Sequence, residues 1–411
     1  MKIIQLNTYD NNGGAARAVF RLAKALNKQG VDARLVVRKK NIQESFVYSA
    51  NEKLSFLKPY LDYLPAFLFT RKRMPFFSAI TNDNILKIID KYQPDLLHLN
   101  WISEGFLKIE TLAKINIPIV WTLHDSWAYT GGCHMHKGCE KYLTGCGACP
   151  YLSPKLKYDL SSYNFDRKQK VYKQIKNLKI VTPSSWLKAE VMSSRLLNEC
   201  DVEVIPNGLN VDFFTGIDKE KAKEKLGIDP HKKVIVFGGI NATKDENKGF
   251  GCFVDSVKYF KTKDLTILVF GNNKLQIEYL HKIKIKYLGQ INNDEKLRTI
   301  YAAGDVTVVP SKQEVFGQVI TESMSCGVPV VAFDTTGPAE IIKQKKNGYL
   351  AKAFQAEDLA LGIDWVLEDK EKWNQLSAYA VTSAKTRFSS EIIAKKYIEL
   401  FKNVLENNDS E

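Results

Sequence analysis

The chain is predicted to be an α/β protein of two domains, each a doubly wound parallel sheet. Three observations predict this. Its 411 residues exceed what one ordinary core holds. Short apolar runs alternate with helical periodicities along the chain, the order of a parallel sheet. A glycine loop, Asn11-Asn12-Gly13-Gly14, joins the first strand to the first helix, where a doubly wound fold brings backbone N–H groups to an anion.

Ile3 to Leu6 is the first strand. After the glycine loop, Ala15, Val19, Leu22, Ala23 and Leu26 recur at helical spacing, and Gly30 ends that helix. Ala33 to Val37 is the second strand. Pro94-Asp-Leu-Leu-His98-Leu-Asn100-Trp101 reads as a strand and its exit loop, and Pro118-Ile-Val-Trp-Thr-Leu-His124-Asp125 as another. A histidine at a strand's carboxyl end, as His124 is, stands where a ligand would meet it. Leu178 to Val181 is a further strand. Val202-Glu-Val-Ile-Pro206-Asn207-Gly208 contains a strong turn signal, and a lysine-rich helix follows over 218–226.

Val234-Ile-Val-Phe-Gly238-Gly239-Ile240-Asn241-Ala-Thr-Lys244-Asp-Glu-Asn-Lys248-Gly249 is a strand, a polar loop and a helix start. Leu265 to Phe270 and Ile285 to Leu288 are strands. Val306 to Val309 is another, ended by Pro310-Ser311; a loop carries Glu314, and Phe316-Gly317 leads into a helix with Ile320 and Met324 on its apolar face. Gly327 closes that helix, where positive φ is wanted, and Val328 to Phe333 is the next strand. The unit has one carboxylate in its loop, Glu314, and a second, Glu322, eight residues on in the helix. A carboxylate there can accept hydrogen bonds from a ribose diol. The last helix starts after Ser389-Ser390, good N-cap residues, and Ile393, Tyr397, Leu400 and Val404 mark its buried face.

The stretch P-S-x-x-E-x-F-G-x-x-x-x-E-x-M-x-x-G-x-P-V-V-A resembles the E-x7-E segment of glycosyltransferase family 4, and the likeness runs from the glycine loop to the last helix. It implies two Rossmann-like domains facing across a cleft (the GT-B fold) and a retaining transferase that uses a nucleotide diphosphate sugar. It places the acceptor-side domain at 1–200 and the nucleotide-sugar domain at 201–385, with helix 386–411 crossing back onto the first. Glu314 is then expected to hold the transferred sugar and Glu322 the ribose, with backbone contacts from Phe316, Gly317, Gln318 and Val319. Asn207 joins the donor set through the I-P-N-G stretch, Lys248 is the diphosphate cation, Gly13 and Gly14 line a substrate loop, and His124 contacts the donor sugar. The chain departs from the pattern twice. Ile240 and Asn241 stand where an arginine is common, leaving Lys244 to substitute, and Asn100 stands where many members have a second histidine, which makes His98 structural. No Asp-x-Asp pair is placed as a metal clamp, and no cofactor is expected for catalysis. A nucleotide-sugar epimerase and a non-catalytic sugar-nucleotide-binding partner are the alternatives on the same fold.

Composition narrows the partners. Lysine and arginine number 59 against 46 acids, a net charge of +13, with 45% hydrophobic and 26% charged residues. Such a surplus suits nucleic acid, an anionic membrane or phosphorylated substrates, and no nucleic-acid motif is present. No secretory signal or bilayer-spanning run is visible, so a cytoplasmic chain is expected. Residues 56–80 are aromatic-rich with a basic triplet, Arg71-Lys72-Arg73. They read as a docking segment for the inner leaflet or a lipid-linked acceptor, or as a helical hairpin packed on its own domain.

Four of the seven cysteines, Cys133, Cys139, Cys146 and Cys149, fall within seventeen residues, with His134 and His136 among them. Cytosolic disulfides are rare. Two readings remain: thiolates holding a structural zinc, or thiols packed as small apolar side chains.

Overall fold

The structure is a computed structural model that describes residues 1–50, 55–70, 75–271, 279–280 and 283–408. It comprises two compact units, Met1–Pro206 with Ile393–Glu411, and Asn207–Ile392.

The first unit is built on seven parallel strands, β1 (Lys2–Tyr9), β2 (Asp32–Lys39), β3 (Val47–Ser49), β4 (Leu96–Leu99), β5 (Ile119–Thr122), β6 (Leu178–Thr182) and β7 (Asp201–Val204), in the order β3-β2-β1-β4-β5-β6-β7. Strands buried on both faces read as continuous apolar runs, and Leu96 to Leu99 is buried throughout. On one side Ile3, Leu26, Val120 and Val181 pack against Ile393, Tyr397, Leu400 and Phe401 of the terminal helix Ser390–Asn408. Ser389 opens that helix by accepting the Glu391 N–H at 3.3 Å. Each buried Ile, Leu or Phe of its stripe is worth about 1.5–3 kcal/mol, so the stripe, and not local propensity, decides where the helix docks.

Among its described residues the segment 56–80 forms no helical hairpin. Helix Lys58–Phe67 is single, and Phe76 instead makes an isolated antiparallel bridge with Cys133. Pro65 lies inside this helix, one reason it is short. Buried Asp62 fastens it, accepting the Ile80 and Gly105 N–H groups at 3.2 Å each. The triplet Arg71 to Arg73 lies outside the described residues.

The second unit repeats the scheme with β8 (Lys233–Gly238), β9 (Leu265–Phe270), β10 (Tyr279–Leu280), β11 (Ile283–Tyr287), β12 (Val306–Val309), β13 (Val330–Phe333) and β14 (Gly348–Ala351), in the order β10-β11-β9-β8-β12-β13-β14. All pairs are parallel except the edge pair β10–β11. Gly327 has φ of 74° and closes helix Gln318–Ser325, whose Ile320 and Met324 are fully buried. In both sheets the chain order reverses once, at β1/β4 and at β8/β12. Loops that leave the carboxyl ends of two such strands diverge and open a crevice for ligand.

Candidate active site

In the second unit the loops after β8 and β12 flank that reversal point, and one asparagine joins them. Asn247, buried, donates through Nδ2 to the Gln313 carbonyl at 2.7 Å and accepts the Gln313 N–H at 3.0 Å; its own carbonyl takes the Lys312 N–H at 2.8 Å. Lys248 follows it, and its Nζ meets Glu314 Oε2 at 2.7 Å. Gly249 has φ of 70°, and a Cβ there would lie 1.9 Å from the Pro310 carbonyl oxygen. Only glycine lets the two loops approach this closely. Burial alone would lower the Lys248 pKa, but the charge of Glu314, the hydrogen bond to it and the nearby Asp245 together raise it. The side chain stays an ammonium. Glu314 is held at its backbone as well, its N–H donating to Thr336 Oγ1 at 3.1 Å and its carbonyl accepting the Gly337 N–H at 2.9 Å.

Helix Gln318–Ser325 starts directly after this loop. Gly317 precedes it with φ of 104°, and a Cβ there would press on Ile320 at 2.8 Å. The helix N-terminus, with no acid in its first turn, adds N–H groups and a positive dipole end beside Glu314. Glu322 lies one turn in, 3% exposed, and accepts the Tyr301 hydroxyl at 3.1 Å. Phe316 is buried against Phe388, and Val319 is partly buried in the same core, so these two can offer a ligand backbone only. Lys244 is exposed on the β8 loop, its N–H bonded to the Asn241 carbonyl at 2.9 Å. Asn207, half-buried, stands at the start of the unit, apart from this cluster in sequence.

At the first unit's reversal point, Gly13 (φ 102°) opens helix Gly14–Lys28, whose first turn carries no acid and no side-chain cap. The β4 and β5 loops meet through Asn100 and His124, whose Nε2 lies 3.2 Å from Asn100 Oδ1. A carbonyl oxygen only accepts, so Nε2 carries the hydrogen and Nδ1 keeps its lone pair. Burial pushes the His124 pKa down to about 4 against the pull of Asp125, leaving the ring neutral. His98 is structural. Fully buried, it links Gln5 Nε2 at 3.0 Å to Thr122 Oγ1 at 2.8 Å, and Thr122 bonds Tyr397 of the terminal helix at 2.9 Å. Burial and His124 push its pKa to about 3. Asp125 accepts the Trp101 indole N–H at 2.6 Å and the Trp127 N–H at 2.8 Å and pairs with His134 at 2.6 Å.

The cysteine segment lies beside Asp125, because His134 belongs to it. Cys133, Cys139, Cys146 and Cys149 line one small pocket, and none is in a disulfide. Among the described residues no group of three or more His, Cys, Asp or Glu side chains could hold a metal ion as they stand. Burial pushes the thiols of Cys133 and Cys146 up to about 12.

Sequence reasoning named Lys248 and Glu314, which the structure pairs, but not Asn247, Thr336 and Tyr301, which hydrogen-bond the Glu314 loop and Glu322. Asn247 carried a signal, a short polar residue before Lys248-Gly249 in a tight turn; Tyr301 and Thr336 reach the site through tertiary contacts and carried none.

The Glycosyltransferase Family 4 model matches residues 12–213, and the Glycosyl transferases group 1 model matches 218–382. The chain belongs to glycosyltransferase family 4. Within the family it is similar to an N,N'-diacetylbacillosaminyl-diphospho-undecaprenol alpha-1,3-N-acetylgalactosaminyltransferase of Campylobacter jejuni, at 30% identity over 53% of this chain and 59% of that one. An uncharacterized glycosyltransferase of Methanocaldococcus jannaschii is 30% identical over 55% of this chain and 60% of its own, so these matches span about six tenths of the relatives' length. The putative colanic acid biosynthesis glycosyl transferase WcaC of Escherichia coli is 23% identical over 85% and 86%. Among solved structures, sucrose-phosphate synthase of Thermosynechococcus elongatus superposes with a TM-score of 0.71 at 19% identity, covering 99% and 100% of the two chains. Anabaena HepE in complex with UDP-glucose gives 0.67 at 19% identity over 98% and 100%. These likenesses show the fold, two Rossmann-like domains of the GT-B type.

Proposed function

We propose that the chain transfers a sugar, with retention at the anomeric carbon, from a nucleotide diphosphate sugar to a hydroxyl of a saccharide or lipid-linked acceptor, in surface polysaccharide assembly. The observation that supports this reading is the Lys248–Glu314 pair at the reversal point of the second sheet, beside a helix N-terminus. A neighbour of the same fold was solved with UDP-glucose, and the Campylobacter relative's name puts its acceptor on a diphospho-undecaprenol.

In this reading Glu314 accepts hydrogen bonds from the sugar hydroxyls, and Glu322 from the ribose, exchanging its tie to Tyr301. Lys248 and the N–H groups at Gln318 and Val319 meet the negative charge that grows on the leaving diphosphate. Lys244 serves in place of the usual arginine, and Asn207 completes the donor set. The acceptor oxygen bonds to the anomeric carbon on the face that the phosphate leaves, and its proton passes to a departing phosphate oxygen. Neutral His124 offers the Nδ1 lone pair to a sugar hydroxyl, and the Gly13–Gly14 loop admits substrate.

The acceptor class draws support from helix Lys58–Phe67 and its flanks. Phe56, Tyr60, Leu61, Leu64, Phe67 and Leu68 are 50–71% exposed, a contiguous apolar face on a chain of net charge +13. It suits docking on an anionic inner leaflet; no described helix is long and apolar enough to cross a membrane. Ile240 and Asn241 at the arginine position favour the second reading, a sugar-nucleotide-binding partner without turnover.

A donor screen tests these together. UDP-, GDP- and ADP-sugars are added singly without metal, and thermal shift and nucleotide release are followed, with and without acceptor on anionic vesicles. A shift with one donor, lost in Glu322→Ala, and release only with acceptor support transfer. Release of an altered sugar without acceptor identifies an epimerase, and binding without turnover the partner protein. No shift in well-folded protein overturns the donor site.

A further inference from the structure

The loop from Cys133 to Cys149 is long, has one short 3-10 turn, Lys141–Leu143, and is wound through left-handed backbone at Lys137, Gly138, Gly145, Cys146, Gly147 and Ala148. Three of these six are not glycine, and each such residue costs about 1–2 kcal/mol. The reversal at Cys146 to Ala148 is enforced from outside, since a Cβ on Gly147 would strike the Lys157 carbonyl at 2.3 Å. It turns the Cys146 and Cys149 ends of a C-x2-C turn toward the pocket that Cys133 and Cys139 also line. That pocket has a volume of about 20 Å³, room for one water-sized occupant.

Both histidines of the loop face carboxylates. His134 Nδ1 is 2.6 Å from Asp125. His136 accepts the Gly138 N–H through Nδ1 at 3.2 Å and turns Nε2 toward Glu190 at 3.0 Å. Four sulfurs remain. A second observation lies beside them. Lys168 is 2% exposed, and its ammonium donates to the Thr130 carbonyl at 3.0 Å and to the Trp127 carbonyl, over the Trp127 ring at 3.6 Å. No carboxylate bonds it among the described residues. Burial pushes its pKa down to about 7 against the pull of Cys133, Asp125 and Cys146. A buried cation wants an anion nearby, and four thiols are a neutral neighbourhood until they lose their protons.

We propose that Cys133, Cys139, Cys146 and Cys149 bind one zinc ion as a tetrahedral tetrathiolate that fixes this loop, with the buried Lys168 ammonium as its counter-charge. Ligation releases the four thiol protons, and the resulting zinc tetrathiolate carries two negative charges, one of which Lys168 offsets. Ligation would take two sulfurs from their present hydrogen bonds. Cys133 Sγ now points to Thr130 Oγ1 at 3.3 Å, and Cys146 Sγ accepts the Gly131 N–H at 3.2 Å. Soft thiolates select zinc over the oxygen-loving cations. The role is structural. Ala66, Phe76, Cys149 and Leu152 form one small core, with Tyr63 and Cys133 packed on it, so the metal would set the platform beneath helix Lys58–Phe67.

Full-length protein purified without chelator is assayed for metal, and its native thiols are titrated before and after a zinc chelator. The expected result is about one zinc per chain, no iron, and four thiols that become reactive as the zinc leaves. Cys146→Ser with Cys149→Ser should lose the zinc, while Cys200→Ser, outside the loop, should keep it. Cobalt reconstitution supplies a readout if the double variant folds poorly, as tetrahedral cobalt thiolate has an intense charge-transfer band. Well under one zinc per chain in folded protein, iron in its place, or thiols whose reactivity the chelator leaves unchanged would overturn the proposal. None of these readings depends on donor or turnover, so the site stands or falls apart from the transferase reading.

Discussion

The two units share a topology but arm their reversal points differently. In the second, the loops after β8 and β12 are locked together by Asn247 and by an ammonium–carboxylate pair 2.7 Å long. In the first, the loops after β4 and β5, next to the reversal point, meet through two neutral groups, Asn100 and His124, at 3.2 Å. The difference follows from what each edge is proposed to hold. A diphosphate presents the same charge in every donor, so charged side chains at fixed spacing answer it. A hydroxyl acceptor carries no charge there, and the carboxylate at that edge, Asp125, is already answered by His134, the Trp101 indole and the Trp127 N–H.

The largest way to break this comparison is to separate the two loops of the second unit. Gly249→Ala places a Cβ 1.9 Å from the Pro310 carbonyl oxygen at φ of 70°, and backbone must move. A loss of about 3 kcal/mol is expected, with donor-induced thermal shift abolished. Calorimetry should show the second unit's transition lowered; an unchanged transition with normal donor binding would mean that the loops need not approach as they do.

Next in size is the charge itself. Lys248→Ala removes a charged hydrogen bond of about 1.5–3 kcal/mol, and turnover should fall about ten- to a hundredfold. The loss should fall mainly on kcat if Lys248 answers charge that grows during the reaction. Lys244→Ala tested beside it asks whether that exposed lysine replaces the missing arginine, and a loss confined to KM would make it a ground-state contact.

The same contrast explains what could be read in advance. The core strands were legible because β5, β9 and β12 are short runs rich in β-branched and apolar residues, and Glu314 and Lys248 because the residues around them resemble the family's motifs. The three-residue β3 and the edge strand Gly348–Ala351 were not, since a run that short has no periodicity of its own and exists through its neighbour. Segment 56–80 left two readings open for a related reason: its apolar residues fit a packed hairpin as well as a docking face, and six around helix Lys58–Phe67 are at least half exposed. In the first unit the polar edge is assembled by distant contacts, Trp101 to Asp125 and Asp125 to His134, and no local pattern announces them. Among its histidines, position at a strand end and the family resemblance marked His124, while part of the packing that makes His98 structural comes from Tyr397 and Phe401 of the terminal helix.

The smallest expected effect sharpens the comparison most. Burial holds the His124 pKa at about 4 against the raising influence of Asp125, so the ring is neutral wherever the protein is ordinarily assayed. Its folded pKa lies below the ordinary 6.5, so its share of stability is present above pH 6.5 and is lost as pH falls toward 4. His98, at about 3, titrates in the same sense. Donor affinity, in contrast, should stay flat from about pH 5.5 to 8 as far as His124 is concerned. Asn100→Asp sets a carboxylate against Nε2 at the present 3.2 Å contact. An opposite charge that close favours the protonated ring, so this variant should acquire a pH dependence of binding or turnover within that window. If the wild-type protein shows that dependence and Asn100→Asp does not change it, His124 is charged in use, and the neutral edge distinguishing the first unit from the second does not hold.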